Sequence, residues 1–257
     1  VFLHAFPPSR SRFARAAALA LALLAFGSAA HAQLYWDNNG GTAGFGTATG
    51  TWAAPTTNNS TQGWSTSAAG TSAMSSTTTT TTSDALNFGT ASAGLALGTI
   101  TVSGTVNANS LTFGSASGNI TLSGGTITLG GATPTITVNN TTDTISSVLA
   151  GSAGMTKNGT GSLILTGANT YTGTTTINAG TLQIGTGTTG SIASSSIVNN
   201  GTLVINKNES MTLSSMTGTG NLTADFSTGF LRLGGNITLN GTVTINNTKG
   251  QSGGQAG

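Results

Sequence analysis

Five carboxylates, Asp37, Asp84, Asp143, Glu209 and Asp225, are all that this chain offers for acid–base chemistry. Cleavage of a glycosidic bond by paired carboxylates needs two of them within about 5–10 Å. No two adjoin in sequence, and only Glu209 and Asp225 could stack on successive turns of a repeat, with Lys207 and Arg232 in the same region. The plainer reading is that they are solvated charges keeping a nearly neutral surface soluble. Gly185-Thr186-Gly187-Thr188-Thr189-Gly190 spells the G-x-G-x-x-G of dinucleotide folds directly after the block TLQI. That motif acts through a following helix whose N-terminus faces the phosphates. The next residues, SIASSSIV, lack a helical pattern, and a chain with 39 glycines generates such matches by chance. The stretch GGTAGFG from Gly40 lacks the Asp of a calcium-binding nonapeptide. Both histidines, His4 and His31, precede residue 33, and there is no cysteine. Zinc sites of the Cys/His type, cysteine nucleophiles and triads with a His base are therefore excluded beyond that point. The sequence predicts no catalytic residue, no cofactor and no metal site.

The first 32 residues read as a cleavable export signal. Arg10, Arg12 and Arg15 form a basic n-region, Ala16 to Phe26 is an apolar run too short for a permanent span of about 20 residues, and Ala30-His31-Ala32 offers a small-x-small cleavage site. The mature chain would begin at Gln33. Three of the seven basic residues leave with the signal, so four remain against five acids and the formal charge falls from +2 to −1. The high isoelectric point belongs to the signal. Nothing after it supplies the Lys/Arg stripe that nucleic acid requires, and nucleic acid is excluded as a partner.

From Gly98 onward the chain is a series of x-[apolar]-x-[apolar] blocks separated by Gly, Asn, Ser or Thr. TITV ends at Val102, SLTF at Phe113, NITL at Leu122, TITL at Leu129 and TITV at Val138; SLIL, TTTI, TLQI, TLVI, FLRL, NITL and TVTI follow. Period-two alternation puts the apolar side chains on one face of a strand and Thr or Ser on the other. No stretch after the signal shows the spacing of an amphipathic helix. The fold class is therefore all-β, and the close likeness of the blocks, with single Gly or Asn corners, favours a parallel β-helix over a sandwich. About three blocks would make one coil of about 20–25 residues. Asn at equivalent corners, such as Asn119, Asn140, Asn221 and Asn236, would stack as side-chain amide ladders.

Residues 33–84 differ from the repeats of residues 85–257. They hold Trp36, Trp52 and Trp64 and end in six threonines, Thr77 to Thr82. One reading makes the tryptophans a cap over the open first coil, since an uncovered solenoid end exposes core and unpaired strand edges. The other makes them ligand contacts, a platform of exposed rings for sugar. The threonine run reads as a solvated extended connector.

Lys157 to Gly185, KNGTGSLILTGANTYTGTTTINAGTLQIG, resembles the autotransporter-associated β-strand repeat. Lys157, Gly159, Gly161, Leu163, Leu165, Gly167, Asn169, Tyr171, Gly173, Thr175, Ile177, Gly180, Leu182, Ile184 and Gly185 all fit its pattern. The resemblance implies a right-handed parallel β-helix, a passenger secreted or displayed at the outer membrane of a bacterium. It also implies export machinery and an outer-membrane translocator as partners. The translocator would lie outside this chain, which stops at QSGGQAG and so reads as truncated. The implied role is structural or adhesin-like, toward a host matrix protein or glycan. The alternatives are a structural component of an extracellular matrix or surface layer, and a polysaccharide-binding module built on the tryptophans.

Overall fold

A computed structural model describes residues 32–54, 63–72, 75, 77–194 and 196–247. The proposed export signal up to residue 31 lies outside them. Every regular element described is a strand, and apart from one antiparallel edge strand they stack in parallel as a three-sided solenoid. On the first side Gln33–Trp36, Ala85–Phe88, Ser110–Phe113, Thr135–Val138 and Met155–Asn158 lead on through Ile237–Leu239. The second side is a nine-stranded sheet running from Thr51–Ala53 to Val243–Asn247. The third carries only short sheets of two or three strands, such as Thr105–Ala108, Thr126–Leu129 and Val148–Ala150.

The blocks fold this way because one face of each must be dry. In Ser162–Leu165 and Thr181–Gly187, Leu163, Leu165, Leu182 and Ile184 point inward and are fully buried, while the intervening side chains stay partly exposed. Registers are exact between coils: Leu163 lies beside Leu182 and Leu182 beside Leu203, with Ile184 between Leu165 and Ile205. Like side chains thus form columns along the axis, and each coil completes its burial only against its neighbours. At the last described coil Leu233, Val243 and Ile245 remain exposed, as does Phe230 beside it.

A second set of columns is made of glycine. A Cβ on Gly180 would lie 2.4 Å from the carbonyl oxygen of Gly161, one on Gly201 2.6 Å from that of Gly180, and one on Gly220 2.2 Å from that of Gly201. Gly241 repeats the relation to Gly220. These glycines share one corner of successive coils, where the backbones approach too closely for any side chain. Their carbonyls carry the stack onward: Thr202 N–H donates to Gly180 and Asn221 N–H to Gly201, at 2.9 and 2.8 Å.

Asparagines act differently from the predicted amide ladders. Among the described residues one such rung exists, from Asn178 Nδ2 to Asn158 Oδ1 at 2.8 Å. The buried ones instead bond backbone of adjacent coils. Asn140 donates to the Gly118 carbonyl at 2.9 Å and Asn199 to the Asn221 carbonyl at 2.8 Å, and the exposed Asn221 likewise accepts from Thr242 N–H at 2.9 Å. A corner carbonyl left buried and unmet costs more than an amide–amide contact gains, so backbone takes precedence. The threonine run also departs from a fully solvated connector. Thr77, Thr79, Thr81 and Thr82 are exposed, but Thr80 is buried and its hydroxyl accepts from Trp52 Nε1 at 3.1 Å.

Candidate functional site

The three tryptophans come together at the first end of the solenoid. Strand Trp64–Ser65 pairs antiparallel with Gln33–Trp36 and so occupies the outermost edge of the first sheet. Trp64 meets Trp36 edge-on at 5.0 Å between ring centroids and Trp52 at 5.5 Å. It also meets Phe88 at 5.9 Å, and Phe88 stacks on Phe113 at 5.1 Å, so aromatic packing continues into the coils. Edge-to-face contacts at these distances add to the burial of large rings. All three indoles are buried, and Trp36 Nε1 donates to the Thr49 carbonyl at 3.0 Å. A cap over the first coil would use such an arrangement. A sugar platform needs ring faces in solvent, and these rings present none.

The charged groups that could have formed a catalytic set stand apart in role. Asp225 projects from Asn221–Phe226 between Asn206 and Asn246, accepting from Asn246 Nδ2 at 2.6 Å. Glu209 is exposed in the turn after Thr202–Lys207, beside a shallow groove of about 250 Å³ that also touches Ile192, Lys207 and Met211. Lys207 is not a free base there, since its ammonium is held by the Gly190 carbonyl. That contact gives the G-x-G-x-x-G segment its place: a corner closed by lysine and followed by strand Ser191–Ile192, without a helix. Among the described residues no three His, Cys, Asp or Glu side chains gather as a metal group.

Several polar residues occupy inward positions that alternation assigns to the core, Thr175 and Lys207 among them. In TDTI, MTKN and SIVN, Asp143, Lys157 and Asn199 are buried and face in. Lys157 and Asn199 flank Ile177 in one column. Lys157 reaches the corner and donates to the carbonyls of Asn158 at 2.7 Å, Gly159 at 3.0 Å and Ala179 at 3.3 Å. Asp143 Oδ1 accepts from Ile120 N–H at 2.7 Å and Asn140 Nδ2 at 3.0 Å. Burial pushes the Asp143 carboxyl up from 3.8 to about 6, against the pull of Asn140, Ile120 and the Lys157 charge. Burial likewise pushes Lys157 down from 10.5 to about 8, against the attraction of Asp143.

These shifts set the pH dependence. Between pH 3.8 and about 6 the fold holds the Asp143 proton more tightly than the unfolded chain does, so stability falls as pH rises through that window. Between about 8 and 10.5 the unfolded chain holds the Lys157 proton more tightly, so stability rises with pH. Denaturation midpoints should therefore pass through a trough near neutrality. On the acid limb Asp143 contributes on the order of 2–3 kcal/mol, and Asp143→Asn should flatten that limb markedly. A wild-type profile that is flat from pH 4 to 7 would remove this account.

The remaining repeat-defining residues also have local work. Gly167 and Gly173 sit against backbone of the preceding coil, where a Cβ would come within 2.3 Å of the Ser147 carbonyl and 2.8 Å of Gly154 N. Asn169 accepts from Leu149 N–H at 2.8 Å and donates to the carbonyls of Gly167 and Ser191 at 3.0 and 2.9 Å. Tyr171 is buried with its hydroxyl 2.9 Å from Thr175 Oγ1. Gly185 has a φ of 84° and turns the chain out of Thr181–Gly187 toward the Lys207 corner.

Fold and inward-facing residues together define a repeat-built parallel β-solenoid. Residues 155–184 match the passenger-associated-transport-repeat family. The chain is 35% identical over 182 residues, or 70% of its length, to the adhesin BmaC autotransporter of Brucella suis biovar 1 (strain 1330). It spans only about 5% of that relative's length. No solved structure matches it. The chain thus carries a passenger-associated-transport repeat and is similar to a short stretch of an autotransporter adhesin, which supports a secreted or cell-surface place at the bacterial outer membrane.

Proposed function

We propose that the chain is a non-catalytic, adhesin-like display segment, whose outer faces attach the cell to a host matrix protein or glycan. The observation that carries this is the composition of the outward rows. Thr135, Thr137, Thr142, Thr144, Ser162 and Thr181 repeat along the two long sheets as partly exposed hydroxyls. A row of hydroxyls at regular spacing offers hydrogen bonds over a long surface but no nucleophile activated by a base. The similar Brucella protein bears the name of an adhesin, which supports the same reading. Export machinery and an outer-membrane translocator would be its partners during secretion. Residues 33–84 would supply the first coil, through Gln33–Trp36 and Thr51–Ala53, together with its cap, and the strands from Ala85 onward the rest of the solenoid.

Display of this chain on a non-adherent bacterium tests the proposal. Attachment to surfaces coated with matrix glycoproteins or cell-surface glycans should rise several-fold over the undecorated strain. If no coating retains the cells, the segment is a spacer or surface-layer component and the attachment role belongs elsewhere.

A further inference from the structure

We propose that the turn after the first strand is a Ca²⁺ site, with Asp37 and Asn39 supplying its side-chain oxygens. Asp37 follows Gln33–Trp36 directly and is fully buried. Its Oδ1 accepts from Asn39 N–H at 3.1 Å, but its Oδ2 is buried with no hydrogen-bond partner. Asn39 Oδ1, two residues on, is also buried and unpartnered. Two acceptors in one turn thus lack any donor. A third oxygen stands close: a Cβ built on Gly70 would lie 1.9 Å from the Gly44 carbonyl oxygen and 3.2 Å from Asp37 Oδ2, so those two oxygens approach the same point.

No side-chain cation can meet this carboxylate locally, because Gln33 to Thr156 contains no Lys, Arg or His. In this it differs from Asp143, which has the Lys157 charge nearby. An isolated buried carboxylate is costly unless something positive or protic reaches it. The surrounding turn is held in place without the ion. Asp37 N–H donates to the Gly63 carbonyl at 2.9 Å, Gly44 N–H to that of Ala69 at 2.9 Å, and Asn38 N–H to that of Phe45 at 3.2 Å. Asn38 Nδ2 also donates to Thr49 Oγ1 at 2.6 Å.

The chemistry of the donors selects the ion. A carboxylate, a carboxamide oxygen and a backbone carbonyl are hard, and no nitrogen or sulfur ligand is present, which disfavours zinc and copper. Ca²⁺ accepts irregular oxygen shells completed by water, whereas Mg²⁺ demands near-octahedral geometry and keeps its waters. One carboxylate gives a weak site, of about 10⁻⁴–10⁻³ M, the range of extracellular calcium modules. The site does not depend on the attachment role proposed above. Its effect would be to fasten the turn beside Trp36 and so the cap itself.

The cap tryptophans supply the readout, since the chain has no others. Tb³⁺ added to the full chain at neutral pH should give saturable tryptophan-sensitised emission, and Ca²⁺ should displace it where Mg²⁺ does not. The thermal midpoint should rise with Ca²⁺ and fall in chelator. Asp37→Asn should lose both responses, whereas Asn39→Asp, which adds a second carboxylate, should tighten Ca²⁺ by about tenfold. Absence of sensitised emission from the folded wild type, or its retention in Asp37→Asn, overturns the site. Should Asp37→Asn fail to fold, Asn39→Asp decides: tighter binding supports the site, and unchanged affinity overturns it.

Discussion

Replacing Trp64 with alanine is expected to lower stability by about 3–5 kcal/mol, measured as the shift in chemical denaturation of the full chain. The indole is 1% exposed and touches Trp36, Trp52 and Phe88 at once. Removing it leaves a cavity whose walls resist closing in: Trp36 is tied to the Thr49 carbonyl, Trp52 to the Thr80 hydroxyl, and Phe88 is stacked on Phe113. The loss should extend beyond the cap. Trp64–Ser65 covers the edge of the first sheet, so its loosening exposes a strand able to recruit other chains, and aggregation should accompany unfolding. Unchanged stability with loss of glycan binding would reinstate the platform reading instead.

The second large effect is expected from Gly220→Ala, a single methyl group. The added Cβ would lie 2.2 Å from the Gly201 carbonyl oxygen and 2.8 Å from its nitrogen. Both are backbone and neither can rotate away. Gly201 in turn abuts Gly180 and Gly180 abuts Gly161, so relief in one direction is blocked by the next coil. The one side-chain atom nearby, Asn199 Oδ1 at 2.7 Å, accepts from Gly201 N–H while its Nδ2 donates to the Asn221 carbonyl, so moving it breaks bonds. Overpacking of this kind typically costs about 1–3 kcal/mol, and this case is expected toward the upper value. Asn240→Ser provides a control expected to change little, since Asn240 is exposed. If Gly220→Ala unfolds at the wild-type midpoint, the coils have slack at this corner that the geometry denies.

Much of the fold was legible because alternation is a strong signal wherever the inward face is wholly apolar. SLIL, TLQI and TLVI announce Leu163, Leu165, Leu182, Ile184, Leu203 and Ile205 without ambiguity. Other strands were missed for a definite reason. TDTI, MTKN and SIVN break the pattern with Asp143, Lys157 and Asn199 at inward positions, where hydropathy reads a polar residue as a turn. What makes them strands is the supply of buried corner carbonyls and amides for their side chains, a three-dimensional property. Lys157 was visible as a repeat-defining residue, but its role emerged only from the carbonyls of Asn158, Gly159 and Ala179. Asp37 and Asn39 carried no signal either, since one acid near one amide is unremarkable until both are found buried and unpartnered. The tryptophans were recognised as a group, and only their packing distinguishes a plug from a platform.

The inequality of the three sides has an evolutionary consequence. Two sides are long and keep their register from coil to coil apart from one shift between Ile184 and Gly187, so a residue gained or lost within a strand would turn its inward row toward solvent. The third is interrupted into short pairs, as at Ala168–Asn169 with Ser191–Ile192 and Met211–Leu213 with Leu231–Leu233. Changes in coil length are absorbed there at little cost, since few ladder bonds must be remade. That side is where such a lineage can vary its presented sequence, by insertion and drift between the short strands, while the other two hold the spacing that every coil inherits from the one before it.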